Sequence, residues 1–150
     1  MKNSKNPLLW KILFRIHPAY RGTGGRVTYI AADWSEVHVK IPLNLATRNY
    51  VGTIFGGSIY GGVDPIYMIM LIKRLGKGFI VWDKESNIKF LKPGRSALKS
   101  IFLIPDEEIE FIKKRLHTEH SINRIYLVEL FDQEGNLCAQ VEKTIYIRRK

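Results

Sequence analysis

Apolar and polar positions change period several times along this chain, and each change predicts an element. From Pro7 to Ile16 apolar residues run with Lys11 and Arg15 set among them, which predicts an amphipathic helix. Between Gly25 and Ile41 the period falls to two, with Val37, Val39 and Ile41 alternating with His38 and Lys40, and the segment reads as two strands. A glycine-rich loop then leads into an apolar helix over about residues 57–75, ended by Gly76.

Phe79 to Leu91 reads as a long strand and Lys92-Pro93-Gly94-Arg95 as a turn. Ala97 to Ile104 reads as the strand that returns beside the first. Pro105 opens a small inserted helix, to about residue 116. Acidic residues Asp106, Glu107, Glu108 and Glu110 come early in it and Lys113, Lys114 and Arg115 late, which complements the helix dipole at both ends. Two strands close the chain, Ile122 to Phe131 and Leu137 to Ile147. In the last, Leu137, Ala139, Val141, Ile145 and Ile147 share one face; Cys138, Gln140, Glu142, Thr144 and Tyr146 share the other. Antiparallel strands around one apolar helix predict α+β organisation, a sheet wrapped around that helix.

The length of 150 residues fits one domain over residues 1–150, with residues 1–20 as a helical segment packed on it. Lys11 and Arg15 break the apolar run that a signal peptide needs, so the segment is expected to stay, although a membrane-surface use is open to it. A net charge of +10 favours an anionic partner: nucleic acid, an acidic membrane or a phosphorylated small molecule. No zinc-finger spacing or RNA-binding aromatic signature accompanies that charge, so nucleic acid is not expected. The lone Cys138 cannot form an internal disulfide; it is read as a structural thiol in a reducing, cytoplasmic compartment. His117 and His120 lie close in sequence, but no Cys or carboxylate cluster completes a metal site, and none is expected.

Candidate chemistry lies between Asn49 and Ile72, where Asp64 is the one charged residue. A carboxylate in an apolar helix is costly unless paired, which makes Asp64 a functional candidate. The other reading is a cap or turn set by the Asp64-Pro65 pair. Five glycines, Asn49, Asp64 and Pro65 argue against a membrane span. Tyr60 stands where a nucleophile elbow needs glycine, and no Gly-Lys-Ser/Thr ending marks a phosphate loop.

These residues resemble a known family. Phe55-Gly56-Gly57, six residues, then Asp64 resembles the His-Gly-Gly, six residues, Asp signature of phenylacetyl-CoA-type hotdog thioesterases. The wider pattern is more similar still to a branch of that superfamily called, by analogy, tetrameric acyl-CoA thioesterases. Shared with that branch are Asn-x-x-Gly-Thr-x-Phe-Gly-Gly from Asn49 to Gly57, Asp64-Pro65, Phe-Leu-Lys-Pro-Gly from Phe90 to Gly94, and Glu-Lys-Thr-x-Tyr-Ile-Arg from Glu142 to Arg148. Many relatives carry histidine where Phe55 stands, so any task of that imidazole is absent. Hotdog dehydratases depend on such a histidine, and none lies between His38 and His117.

The resemblance implies a hotdog fold, self-association as a homodimer or homotetramer, and hydrolysis of an acyl-CoA thioester. No cofactor is implied beyond the coenzyme A of the substrate. It implies that N–H groups at Gly56 and Gly57 polarise the thioester carbonyl, that Asp64 activates water or attacks directly, and that Asn49 orients the water or carbonyl. Phe55, Tyr60, Lys92, Gly94 and Arg95 are the expected substrate contacts, Lys92 or Arg95 toward phosphate. Gly57 and Asp64 are seven residues apart, ~10 Å along one helix, so a site using both is expected to be shared across a two-fold axis. The alternative on the same fold is a non-catalytic acyl-CoA or fatty-acyl binder.

Overall fold

The computed structural model describes residues 6–150. Eleven elements follow in order: α1 (Pro7–Ile16), α2 (Pro18–Gly22), β1 (Arg26–Ile30), β2 (Glu36–Ile41), α3 (Gly56–Val63), α4 (Ile66–Leu75), β3 (Phe79–Phe90), β4 (Leu98–Leu103), α5 (Asp106–Arg115), β5 (Ser121–Phe131) and β6 (Leu137–Arg149). Residues 1–5 of the expected N-terminal segment lie outside the described residues. The six strands form one antiparallel sheet in the order β1-β2-β4-β5-β6-β3. Period-two burial turns Val37, Val39 and Ile41 of β2 and Leu98 and Phe102 of β4 inward. With Val141, Ile145 and Ile147 of β6 they form one core with Ile59 and Val63 of α3 and Ile66, Met70 and Leu71 of α4. This is the expected α+β hotdog architecture, a sheet wrapped around a central helix.

Two expectations are corrected. The central helix is not one run from 57 to 75. It breaks after Asp64, the C-cap of α3, because Pro65 has no N–H to continue the ladder. Asp64 N still donates to Tyr60 O at 2.9 Å, and Ile69 N resumes the pattern on Pro65 O at 3.0 Å. Nor do β3 and β4 form a hairpin across Lys92–Arg95. β3 pairs with β6 at one edge of the sheet, while β4 lies between β2 and β5. The chain crosses over because Leu91 N and Lys92 N both bond to Cys138 O on β6 (2.8 and 3.1 Å), and Gly94 O accepts from Ile54 N (2.9 Å).

At the opposite edge, α1 packs against β1. Asn6 caps it through Oδ1, which accepts from Leu8 N at 3.0 Å, and Pro7 occupies the first turn. Trp10 meets Trp34 edge-on (5.5 Å between centroids) and Phe14 meets Tyr20 (4.9 Å). Lys73 Nζ of α4 lies 4.0 Å from the centre of the Trp10 ring; burial pushes its pKa down, and the ring face offsets part of that cost. Trp34 holds a left-handed backbone (φ 65°), rare for a bulky residue, inside this packing. Among the described residues no helix is long and apolar enough to cross a membrane.

Candidate active site

Two ends of α3 carry the expected site residues. At its N-terminus Gly56 and Gly57 hold the first helical N–H groups. Ser58 N and Ile59 N turn back to Phe55 O at 2.9 and 3.1 Å. Gly56 N and Gly57 N donate to no acceptor among the described residues, as the start of a helix leaves them. Both glycines permit close approach of an aromatic ring. A Cβ on Gly57 would lie 2.3 Å from Phe55 Cε1, and one on Gly56 would lie 2.9 Å from Phe90 Cζ. The N-terminus of α3 thus sits between two rings, and Phe55 and Phe90 are each more than half exposed.

At the other end of α3 stands Asp64. Its Oδ1 accepts from Tyr60 Oη at 2.7 Å and from Lys143 Nζ at 2.5 Å. Its Oδ2 has no partner among the described residues, and the side chain is 38% exposed, so one carboxylate oxygen is fixed and the other is open to solvent. Lys143 Nζ also lies 3.0 Å from Asp83 Oδ1, off the line of a good hydrogen bond. Tyr60 Oη is 3.1 Å from Ser86 Oγ. One buried cation therefore holds two carboxylates from two elements, α3 and β3.

Lys143 is fully buried. Burial alone pulls its pKa down, but its close contacts with the Asp64 and Asp83 carboxylates and their charges outweigh that and leave it above the ordinary lysine value. Burial pushes the Asp83 pKa up, opposed by Lys143 and reinforced by the charge of Asp64. The alternation of β6 puts position 143 on the inner face between Val141 and Ile145, where the pattern wants an aliphatic residue. Sequence reasoning passed over this residue, and that break in the apolar face was the signal available. Asp83 and Ser86 reach the same face because β3 carries an irregularity between Asp83 and Glu85 opposite β6.

The remaining candidates lie on the loops that frame α3. Asn49 turns its side chain into its own loop: Oδ1 accepts from Val51 N and Thr53 N (3.2 and 3.0 Å) and Nδ2 donates to Thr53 Oγ1 (2.9 Å). Gly52 (φ 83°) makes that turn. Phe55 N then bonds to Thr47 O at 2.7 Å, which aims the chain into α3. Lys92 Nζ donates to Asn136 Oδ1 at 3.1 Å and Arg95 is exposed, both on the crossover loop that Gly94 ties to Ile54. Tyr60 and Asp64 are thus in contact, Phe55, Gly56 and Gly57 are grouped one helix length away, and Asn49, Lys92, Gly94 and Arg95 belong to the surrounding loops. Cys138 is buried beside Ala139 where β5 and β6 change register, and burial raises its thiol pKa. No three His, Cys, Asp or Glu side chains group for a metal among the described residues.

This geometry sits on a fold shared with solved structures. A protein of unknown function from Pseudomonas aeruginosa, named a probable thioesterase, is 16% identical with a TM-score of 0.84, covering 95% of each chain. A thioesterase from Haemophilus influenzae is 14% identical with a TM-score of 0.69, covering 96% of this chain and 91% of its own. A second P. aeruginosa thioesterase, solved as a mutant, is 11% identical with a TM-score of 0.72 over 98% and 97%. At such identities the likeness establishes the hotdog fold. Among curated proteins none is significantly similar to this chain. A family model, by contrast, covers residues 6–147 almost end to end, and the chain belongs to the DUF4442 family, a domain of unknown function.

Proposed function

We propose that the protein hydrolyses an acyl-CoA thioester to a free acid and coenzyme A. The observation that carries this reading is the Asp64 carboxylate, with Oδ1 pinned by Tyr60 and Lys143 and Oδ2 open at the end of a helix whose N-terminal N–H groups are free. In this reaction Asp64 takes a proton from water, the resulting hydroxide adds to the thioester carbonyl, and N–H groups of Gly56 and Gly57 receive the developing oxyanion. Collapse of the adduct breaks the carbon–sulfur bond, and the proton held by Asp64 returns to the leaving sulfur. Lys143 and Tyr60 are positioning residues that fix the carboxylate. Asn49 supports the reaction by shaping the loop that delivers Phe55 and the glycines. No cofactor takes part; coenzyme A arrives as part of the substrate.

The oxyanion donors and Asp64 stand seven residues apart on α3, too far for one water and one carbonyl to bridge. The proposal is therefore a composite site in a homodimer, where antiparallel α3 helices bring Asp64 of one subunit toward Gly57 of the other. Two features favour it. β3 is a long edge strand with one side unpaired among the described residues, and Phe55 and Phe90 are exposed beside the glycines. Exposed Ile101, Leu103, Ile125 and Leu127 on the outer sheet face favour further pairing into a tetramer. Lys92 and Arg95 are proposed to meet the nucleotide phosphates. The lone buried Cys138 fits work in a reducing cytoplasm.

One observation favours a second reading, a non-catalytic acyl-CoA binder: the Phe55 ring lies against Gly57, where a substrate carbonyl must approach. Release of free thiol from a panel of acyl-CoA esters, set beside calorimetric titration with coenzyme A, separates the two. Hydrolysis predicts catalytic thiol release; saturable binding of acyl-CoA without it supports the binder.

A further inference from the structure

We infer that α1 and the groove beside it form a docking surface for an anionic phospholipid bilayer. The buried side of α1 is accounted for by Trp10 and Phe14, which pack on Trp34 and Tyr20. Its outward side is not polar. Leu8, Ile12 and Ile16, spaced by four and so on one face, are 66%, 48% and 59% exposed. This stripe borders a groove of about 840 Å³ between α1 and β1. Lys11, Arg15, Arg21 and Arg26 line the groove, and no carboxylate does. Among the described residues none of these four cations is in an ion pair. Leu45 projects 87% exposed between two residues that line the same groove.

The charge pattern of the sequence agrees. Basic residues are spread along the whole chain, but carboxylates are not. Residues 1–32 carry Lys2, Lys5, Lys11, Arg15, Arg21 and Arg26, and the first acidic residue is Asp33. Aliphatic side chains projecting beside unpaired cations are the arrangement by which an interfacial helix lies on a membrane, hydrocarbon in the acyl boundary and cations among the phosphates. A second copy of this chain fits less well, because a two-fold contact on this face sets four unpaired cations against their own copies. The groove lies along β1, at the opposite edge of the sheet from β3, so pairing of β3 edges leaves it open.

Sedimentation of the full chain with vesicles tests this. Vesicles of equal parts phosphatidylglycerol and phosphatidylcholine are expected to carry the protein down, and pure phosphatidylcholine vesicles to leave it in solution. Ile12→Gln with Ile16→Gln is expected to lower the partition coefficient about tenfold or more, for two lost aliphatic anchors. Arg15→Gln and Arg21→Gln are each expected to lower it about fivefold, and added salt to weaken binding further. These side chains are exposed and form no part of the site proposed on α3, so thermal unfolding and hydrolysis of a soluble substrate serve as controls that should not move. Three results overturn the inference. The first is no sedimentation with anionic vesicles. The second is binding that the double isoleucine variant leaves unchanged, which is charge adhesion only. The third is a change of oligomeric state in that variant without lipid, which makes the face a contact between copies.

Discussion

Replacing Lys143 with methionine removes the one cation between two carboxylates while keeping the length and apolar bulk of the stem. Lys143 is fully buried, and the Asp64 and Asp83 side chains it holds are 38% and 21% exposed. Removing one partner of a buried ion pair costs about 3–5 kcal/mol, because a charge is left uncompensated. Asp64 is exposed enough to hydrate, so the lower end applies, about 3 kcal/mol. For a domain of this size about 3 kcal/mol corresponds to a fall of about 6–12 °C in melting temperature. The pH dependence is distinctive. Burial already raises the Asp83 pKa, and without Lys143 nothing opposes it. A carboxylate whose pKa in the folded state exceeds its unfolded value loses stability as pH rises through the folded pKa. The Lys143→Met deficit is therefore larger at about pH 8 than at about pH 5, and a second change, Asp83→Asn, recovers much of it. Urea and thermal unfolding followed by circular dichroism measure each quantity. A loss under about 1 kcal/mol, or a deficit that grows toward low pH, would refute the triad as the basis of this packing.

Other expectations follow from the same contacts. Gly57→Ala sets a methyl against Phe55 Cε1, so the ring must swing away and kcat is expected to fall while the melting temperature changes little. Adding Phe55→Ala relieves that clash, and full recovery of kcat in the double variant would show that the ring, not the substrate, was crowded. Glu108 receives both Nε and Nη2 of Arg124 at 2.8 Å and the Tyr126 hydroxyl at 2.6 Å. Burial pushes its pKa up, but these bonds prevail and hold it below the usual value, so the stability it contributes is lost as pH falls through its folded pKa. Glu108→Gln is expected to cost about 2 kcal/mol near neutral pH by urea unfolding, and less at low pH. Mixing Asp64→Asn with a Gly57 variant bearing a bulky residue, under verified subunit exchange, is expected to restore about a quarter of wild-type site activity if the site is shared. Verified heterodimers without activity would assign a complete site to each subunit.

The strands were legible because their burial repeats every two residues, as at Val37, Val39 and Ile41, and a sheet with one buried face enforces that pattern. The break in the central helix was written in Pro65, but the apolar run on both sides obscured it. The hairpin expected from Phe79 to Ile104 failed for a different reason. A Pro-Gly turn says that the chain bends, whereas the partner of β3 is decided by β6, more than forty residues further on. Asp64 stood out as the one charge in an apolar segment. Its partners did not, because Lys143 and Asp83 are distant in sequence and meet only when β3 and β6 pair. Asn49 illustrates the opposite case: a polar side chain in the right segment spends its hydrogen bonds on its own loop.

The proposed function rests on the Asp64 carboxylate as the base of thioester hydrolysis. Its most direct test is thiol release by wild type and Asp64→Asn on the most reactive acyl-CoA of a panel, with both proteins shown to fold and to bind coenzyme A equally. Asparagine keeps the size of the side chain and leaves Lys143 paired with Asp83. Catalysis by Asp64 predicts turnover by the wild type and a loss of ~100-fold or more in the variant, the scale of a lost general base. Near-normal turnover by Asp64→Asn, or no turnover by the wild type on any ester, would contradict it.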